Sequence, residues 1–449
     1  RRIHSVLEKL FKLKERKTNV RTEFVAGLTT FMAMAYVLVV QPSSVMGFGT
    51  GQTFTDINGV VISRGALVVM TAFVSGLMTL IMGLYANLPF ALSTGMGTNF
   101  VLGALIQSGK LSFGNSMVIV LISGIIFVIL TVFGIRDVIV KAIPFNIKTS
   151  ISVAIGFFIT YLGFSNSGIG NFKDGIKLGN FSDPHVFLAI LGLILIAIMT
   201  LHKVPGALLI GIIAITIIGI PFGVTKVPDH LFGVPTMSEI SQLTFSFDFK
   251  GLVNGSSLVL IFIAFFGDFF STLGTVLGVS EKANLLDKNG NLPDIQKPFL
   301  VDSIGTVLGG LLGCTSFGTF VESSAGVEAG GRTGLSSVST AALFFVSIII
   351  SPLFLMIPDA ATSPVLIFVG YSMISSIKNI DFGDFSEAFG PFVMIIFTAF
   401  AGGIAAGISA GILADVAVKT FSKQSGVKKK VHPIMYAMCL PLMVYFVFN

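Results

Sequence analysis

The sequence predicts an all-α polytopic membrane protein with about 14 transmembrane spans in two inverted seven-span repeats. Three observations predict it. Hydrophobic residues fill 53% of the 449 positions and charged residues only 11%, with a mean hydropathy of +0.92, so most of the surface must face lipid. The apolar windows recur at about the 20-residue length of a membrane helix and leave no room for a separate soluble catalytic domain. The Lys and Arg residues fall on alternate loops, as a membrane topology requires, and do not gather into one basic face.

The windows run 24–41, 66–86, 90–107, 115–134, 146–164, 186–202, 205–222, 252–280, 298–313, 315–331, 335–357, 361–377, 387–401 and 402–421, punctuated by Pro, Gly and charged residues. A further apolar segment, 432–448, either crosses once more or lies along the interface. With residues 1–23 in the cytoplasm, the outer loops receive Arg64, Lys110, Lys173, Lys177, Lys226 and Lys250, and the other 22 of the 28 Lys and Arg fall inside. A lost span would invert every later loop, so this bias supports both the count and the orientation. Residues 1–23 lack the apolar core of a signal peptide and read as retained. Leu7, Leu10, Phe11 and Leu13 among basic residues suit an amphipathic helix on an anionic membrane face.

Windows 90–107 and 315–331 each stand third in a seven-span half, and both are dense in Gly, Ser and Thr. Seven is odd, so the second copy is inverted. Helix breaks at matching positions of inverted repeats are the signature of a secondary transporter with a site near the midplane. Irregular backbone at that depth is tolerated where it is buried or lines a wet cavity.

Several function classes drop out. Cys314 and Cys439 sit inside apolar runs, which argues against a disulfide framework or a thiolate metal site. None of the five histidines has a second metal ligand at helical spacing, so neither metal nor cofactor is expected. The glycines at 95–97 lack the Lys of a phosphate-binding loop. The net charge of +6 comes with no aromatic-basic surface module, so nucleic acid is not an expected partner. No nucleophile–base pair marks an enzyme.

Two carboxylates stand out. Asp268 is the one charge in 252–280, and Glu322 lies in the glycine-broken stretch 311–327. Each costs roughly 2.5 to 3.5 kcal/mol at a bilayer centre. A carboxylate can accept paired hydrogen bonds from ligand N–H groups and can trade its charge for a proton. Both are therefore candidates for cargo binding and for proton coupling. Glu328 reads as an edge residue in a local ion pair. Asp302, at the opening of its span, and Asp415 read as structural hydrogen-bond or salt-bridge partners.

The stretches TEFVAGLTTFMAMAYVLVVQP (22–42), PFALSTGMGTN (89–99), ISVAIGFFITYLGFSNSGI (151–169), GALLIGI (206–212), GDFFSTLGTVLGV (267–279), FVESSAGVEAGGRTGLSSV (320–338) and ATSPVLIFVGYSM (361–373) resemble the nucleobase:cation symporter family, in its azaguanine-type branch of hypoxanthine, guanine and adenine permeases. The resemblance covers almost the whole chain. It implies a substrate-holding core of 24–134 and 252–357 and a gate of 135–235 and 358–421 that often mediates dimerisation. An extracellular linker (236–251) joins the halves, and 422–449 forms a basic loop and terminal segment. It also implies a short strand and a half-helix in each broken span. By the same mapping Asp268 and Glu322 hold a purine base, Ala33 and Phe100 line the pocket, and Phe320 heads the 320–338 motif beside it. A proton is the implied coupling ion, with sodium the other cation the residues admit. Thr94, Ser271, Phe100 and Gln41 depart from the residues usual in the branch. They lie at or near the pocket and bear on which base is carried. Xanthine or uracil, and less readily an anion, are the alternative cargoes.

Overall fold

The computed structural model describes residues 2–49, 51–134, 143–172, 177–250, 252, 255–288, 292–400, 404–422 and 431–448. Lys173, the boundary residues 135–142, the first two residues of window 402–421 and most of the basic loop after it lie outside the described residues. The first half opens with α1 (Arg2–Phe11), whose Phe11, with Leu13 just beyond it, is buried, while Val6 and Leu10 are exposed. There follow α2 (Val20–Met34), α3 (Val37–Met46), β1 (Thr53–Thr55), β2 (Val61–Ser63), α4 (Arg64–Ile81) with a π turn at Met82–Ala86, β3 (Leu92–Thr94), α5 (Met96–Gln107) and α6 (Phe113–Val132). Then come α7 (Phe145–Asn166), β4 (Gly170–Asn171), β5 (Lys177–Leu178), α8 (Pro184–Leu201), α9 (Ala207–Gly219) and the short α10 (Met237–Leu243).

The second half runs α11 (Gly255–Lys282), α12 (Gln296–Leu312), β6 (Phe317–Thr319), α13 (Ser323–Glu328), α14 (Gly334–Ile349), α15 (Ser351–Leu355), α16 (Asp359–Ile374), α17 (Phe385–Phe400), α18 (Ile404–Phe421) and α19 (Pro433–Phe448). Among the described residues seven helical stretches are long and apolar enough to cross a membrane: Val20–Met46, Arg64–Ala86, Phe113–Val132, Phe145–Asn166, Pro184–Leu201, Ser257–Lys282 and Asp359–Asn379. Shorter apolar helices lie at Ala207–Gly219, Gly334–Ile349, Phe385–Phe400 and Pro433–Met443. The chain is thus a mostly helical, polytopic membrane protein. Large apolar side chains on its outside, such as Leu201 at 78% exposure and Phe400 at 72%, belong where lipid is the solvent.

Helix ends are set by side-chain caps. Asn19 accepts from the Thr22 amide, Ser63 from Ala66, Thr333 from Leu335, and Ser112 with Asn115 forms a capping box. Each satisfies a first-turn amide that would otherwise be orphaned. Packing divides the helices into two sets. In one, α6 packs on α12 and α11, α4 and α2 on α14, and α2 on α13. In the other, α7 packs on α16 and α17, α8 and α9 on α16, and α17 on α18.

Among the described residues the named strands form three antiparallel pairs, β1–β2, β4–β5 and β3–β6. The first two close exposed loops. The third joins segments more than 200 residues apart in sequence and sits in the interior, with Leu92 opposite Thr319, Ser93 opposite Gly318 and Thr94 opposite Phe317.

Candidate functional site

The site is built on the β3–β6 crossing. Three-residue strands leave backbone groups that an apolar interior cannot hydrate, so each strand must supply the other. Beyond the paired residues, Gly95 N–H donates to the Ser316 carbonyl (2.8 Å) and Phe320 N–H to the Ala91 carbonyl (2.9 Å). Side chains complete the saturation. Ser323 Oγ accepts the Ala91 amide, Thr79 Oγ1 accepts the Leu92 amide, and Ser75 and Ser93 share a 2.8 Å bond. The helices α5 and α13 start directly beyond the two strands.

Asp268 comes to this crossing from α11. Its Oδ1 accepts from Thr98 Oγ1 (3.0 Å) on α5 and from Ser316 Oγ (3.2 Å) at the entrance to β6. Its Oδ2 is buried and receives no hydrogen bond. Gly95 makes this approach possible, because a Cβ there would lie 3.0 Å from Ser316 Oγ and 3.1 Å from Asp268 Oδ1. Glu322 stands at the other end of the same stretch, immediately before α13. Its Oε1 accepts from the Tyr36 hydroxyl at 2.6 Å. Tyr36 lies at the turn joining α2 to α3 and is 1% exposed. Neither carboxylate has a cation beside it among the described ion pairs.

Other polar groups at the crossing are incompletely bonded. Gln41 donates to the Cys314 carbonyl (3.0 Å), and Thr315 Oγ1 bonds Asn99 Oδ1. Yet Gln41 Oε1, Asn99 Nδ2, Thr94 Oγ1 and Asp268 Oδ2 are all buried without a partner. A buried unsatisfied polar atom costs about 1 to 3 kcal/mol, and such a cluster calls for an explanation. Thr315 adds backbone strain, with a φ of 74° in a β-branched residue.

Asp302 is fully buried in the second turn of α12. Its Oδ2 accepts from Thr272 Oγ1 (2.8 Å), Thr319 N–H (2.7 Å) and Thr319 Oγ1 (2.9 Å). Thr272 is one turn after Asp268 on α11, so Asp302 ties β6 to that helix, a structural hydrogen-bonding role as expected. Glu328 pairs with Lys282 at 3.1 Å, and Lys419 pairs with Asp415 and Glu387.

The remaining sequence candidates fall differently. Phe320 is 8% exposed at the end of β6, between the two carboxylates in sequence and tied to Ala91. Ala33 is half-buried near the end of α2, three residues before Tyr36. Phe100 is 3% exposed in the apolar core, about 200° around α5 from Thr98. Sequence reasoning missed Tyr36, Thr98 and Ser316. Their hydroxyls carry no charge to stand out in an apolar run, and the one available signal was their closeness to the glycine breaks.

Comparison with known proteins bears on the family and the fold. The model of a permease family matches residues 21–413. A putative permease of Methanocaldococcus jannaschii is 36% identical over 449 residues, 99% of each chain. The guanine/hypoxanthine permease PbuO of Bacillus subtilis is 33% identical over 436 residues, 95% of this chain and 97% of its own. The adenine permease AdeQ of Escherichia coli is 32% identical over 402 residues, 89% of this chain and 87% of its own. Among solved structures, the transmembrane domain of the cyanobacterial bicarbonate transporter BicA superposes with a TM-score of 0.62 at 16% identity, over 88% of this chain and 97% of that one. The murine anion transporter Slc26a9 in its inward-facing state gives 0.61 at 11%, over 94% and 72%. At such low identity these two speak for the fold alone. The family model and the full-length relatives agree: the chain belongs to the nucleobase:cation symporter family and is a multi-pass membrane permease, not an enzyme.

Proposed function

We propose that this permease imports a purine base (hypoxanthine, guanine or adenine) by proton symport and alternating access, with Asp268 and Glu322 as its hydrogen-bond partners. One observation carries the reading. Of two carboxylates at opposite ends of the Ser316–Glu322 stretch, Asp268 is held by hydroxyls and keeps a buried oxygen uncommitted, and Glu322 is held by the Tyr36 hydroxyl and its own backbone amide. A planar ligand with several N–H donors supplies what they lack. A neutral hydroxyl neighbour suits a carboxyl that gains and loses a proton, because it can donate to the charged form and accept from the neutral one. A lysine or arginine would hold it charged. Nothing in this chemistry favours an anion, which the two carboxylates would repel, so the fold likeness to anion carriers does not extend to cargo.

The wider scheme has about 14 spans in inverted repeats, with the two broken spans at 90–107 and 315–331. The packing of α2–α6 against α11–α14, and of α7–α9 against α16–α18, supports a division into a core of 24–134 with 252–357 and a gate of 135–235 with 358–421. On this reading Ala33, Phe100 and Phe320 contribute to the substrate site, the gate serves a homodimer, and the N-terminus is cytoplasmic.

The test is uptake of labelled hypoxanthine, guanine, adenine, xanthine and uracil into vesicles reconstituted with the wild type or with Glu322→Gln. The variant is expected to lose about 10- to 100-fold in uptake efficiency for the preferred purine, the scale of a hydrogen bond to a charged group. Uptake of every base at the wild-type level would count against the assignment. A proton gradient imposed without sodium distinguishes the coupling ion.

A further inference from the structure

Glu322 occupies the N-cap position of α13, yet its side chain makes no capping bond. The amides of that turn do not need it. Ser323 N–H donates to the Phe320 carbonyl, Ser324 to Val321 and Ala325 to Glu322 (2.9–3.1 Å). No cation pairs with it among the described residues. Beyond its own backbone amide, the carboxylate is met by the Tyr36 hydroxyl, 2.6 Å from Oε1, on a ring that is 1% exposed and therefore fixed by its surroundings. Glu322 itself is half-buried. A buried phenol thus reaches from the α2–α3 turn to a carboxylate that caps no later amide of α13.

We propose that Tyr36 is the positioning residue of Glu322: its hydroxyl holds Oε1 and so fixes the orientation in which the carboxylate meets the transported base. This rests on the reading that Glu322 contacts the base. Without the phenol, a flexible glutamate samples several rotamers, and binding must select the productive one. The arrangement parallels Asp268, where Thr98 and Ser316 hold Oδ1 and leave Oδ2 open. In both places hydroxyls occupy one oxygen of a carboxylate. Tyr36 adds an aromatic ring anchored in the core, so it transmits the position of the α2–α3 turn to the site.

The experiment compares Tyr36→Phe with the wild type in reconstituted vesicles, measuring KM and maximal rate for the preferred purine, together with thermal unfolding of the unliganded protein. The expected result is a KM raised about tenfold with the maximal rate within about twofold of wild type. A role confined to packing would lower unfolding temperature and active fraction and leave KM alone, and that result overturns the proposal. If Tyr36→Phe fails to assemble, 3-fluorotyrosine inserted at position 36 keeps the ring and makes its hydroxyl a stronger donor. A changed KM supports the proposal, and an unchanged one overturns it. If the wild type takes up no purine at all, the transport assignment itself has failed, an outcome separate from either.

Discussion

Glu23 and Glu322 are the same residue type in two different employments. Glu23 is 0% exposed and saturated. Its Oε1 accepts the Arg332 amide (2.8 Å), and its Oε2 accepts the Thr333 amide (3.3 Å), the Ser336 amide (3.1 Å) and the Ser336 hydroxyl (2.7 Å). It thereby fastens α2 to the start of α14, where the helix dipole also favours negative charge. Glu322 receives one phenol and, of the backbone, its own amide. Backbone amides cannot leave, so a carboxylate bonded to them is committed to the fold. Hydroxyls can rotate and reverse roles, so a carboxylate bonded to them keeps the freedom to change partner or charge.

The largest effect expected from this contrast is on stability. Glu23→Ala strips the partner from three backbone amides and a hydroxyl, several of them buried, and should cost at least about 3 kcal/mol. Glu322→Ala orphans one hydroxyl and should cost about 1 kcal/mol. Thermal unfolding of the two purified variants in the same detergent checks the ranking. Equal destabilisation would mean that donor type does not separate the two employments.

The sequence made one side of this contrast legible and hid the other. Asp268 and Glu322 announced themselves as charges inside apolar windows. Glu23 did not, because RTEFVAG places it at the polar edge of a span, where a carboxylate looks like an interfacial residue. Its partners at Arg332, Thr333 and Ser336 are about 310 positions away, and no local pattern reports them. The β3–β6 pairing is hidden for the same reason. Leu92–Thr94 and Phe317–Thr319 are too short for alternation to register, so their glycine-rich context signalled a break, and the family resemblance supplied the strands. Helical windows were read well where one helix fills one span, as at 115–134 and 146–164. They were read less well at 335–357, where the helix divides at Ile350 into α14 and α15.

A smaller effect sharpens the contrast at Asp268. Thr98→Val preserves shape and removes one of two hydroxyl donors to Oδ1. If the hydroxyls serve orientation, the KM for the purine should rise about fivefold, within the range of one hydrogen bond to a charged group. Unfolding temperature should barely move, because Ser316 still holds the oxygen. A variant that binds normally but unfolds early would put Thr98 with the donors of Glu23.

The smallest effect lies at the surface, where water competes for every partner. Glu239 on α10 is half-buried at the surface, and both of its carboxylate oxygens are bonded, as in Glu23. Oε2 accepts the Thr236 amide and hydroxyl (both 2.8 Å), and Oε1 accepts the Ser63 hydroxyl (2.8 Å), which docks the linker helix on β2. The Thr236 amide foremost, then the Ser63 and Thr236 hydroxyls, hold this carboxyl below its ordinary range. A carboxyl lowered by folding lends stability that is fully present above its unfolded pKa and is lost as pH falls through the folded value. The docking of residues 236–243 should therefore be constant at neutral pH and weaken below about pH 4.5. Hydrogen-exchange protection of that segment, measured from about pH 6 down to about pH 3.5, should fall in the wild type and stay flat in Glu239→Gln. A parallel decline in both proteins would assign the acid sensitivity to another group and remove Glu239 from the class of carboxylates that hold the fold together.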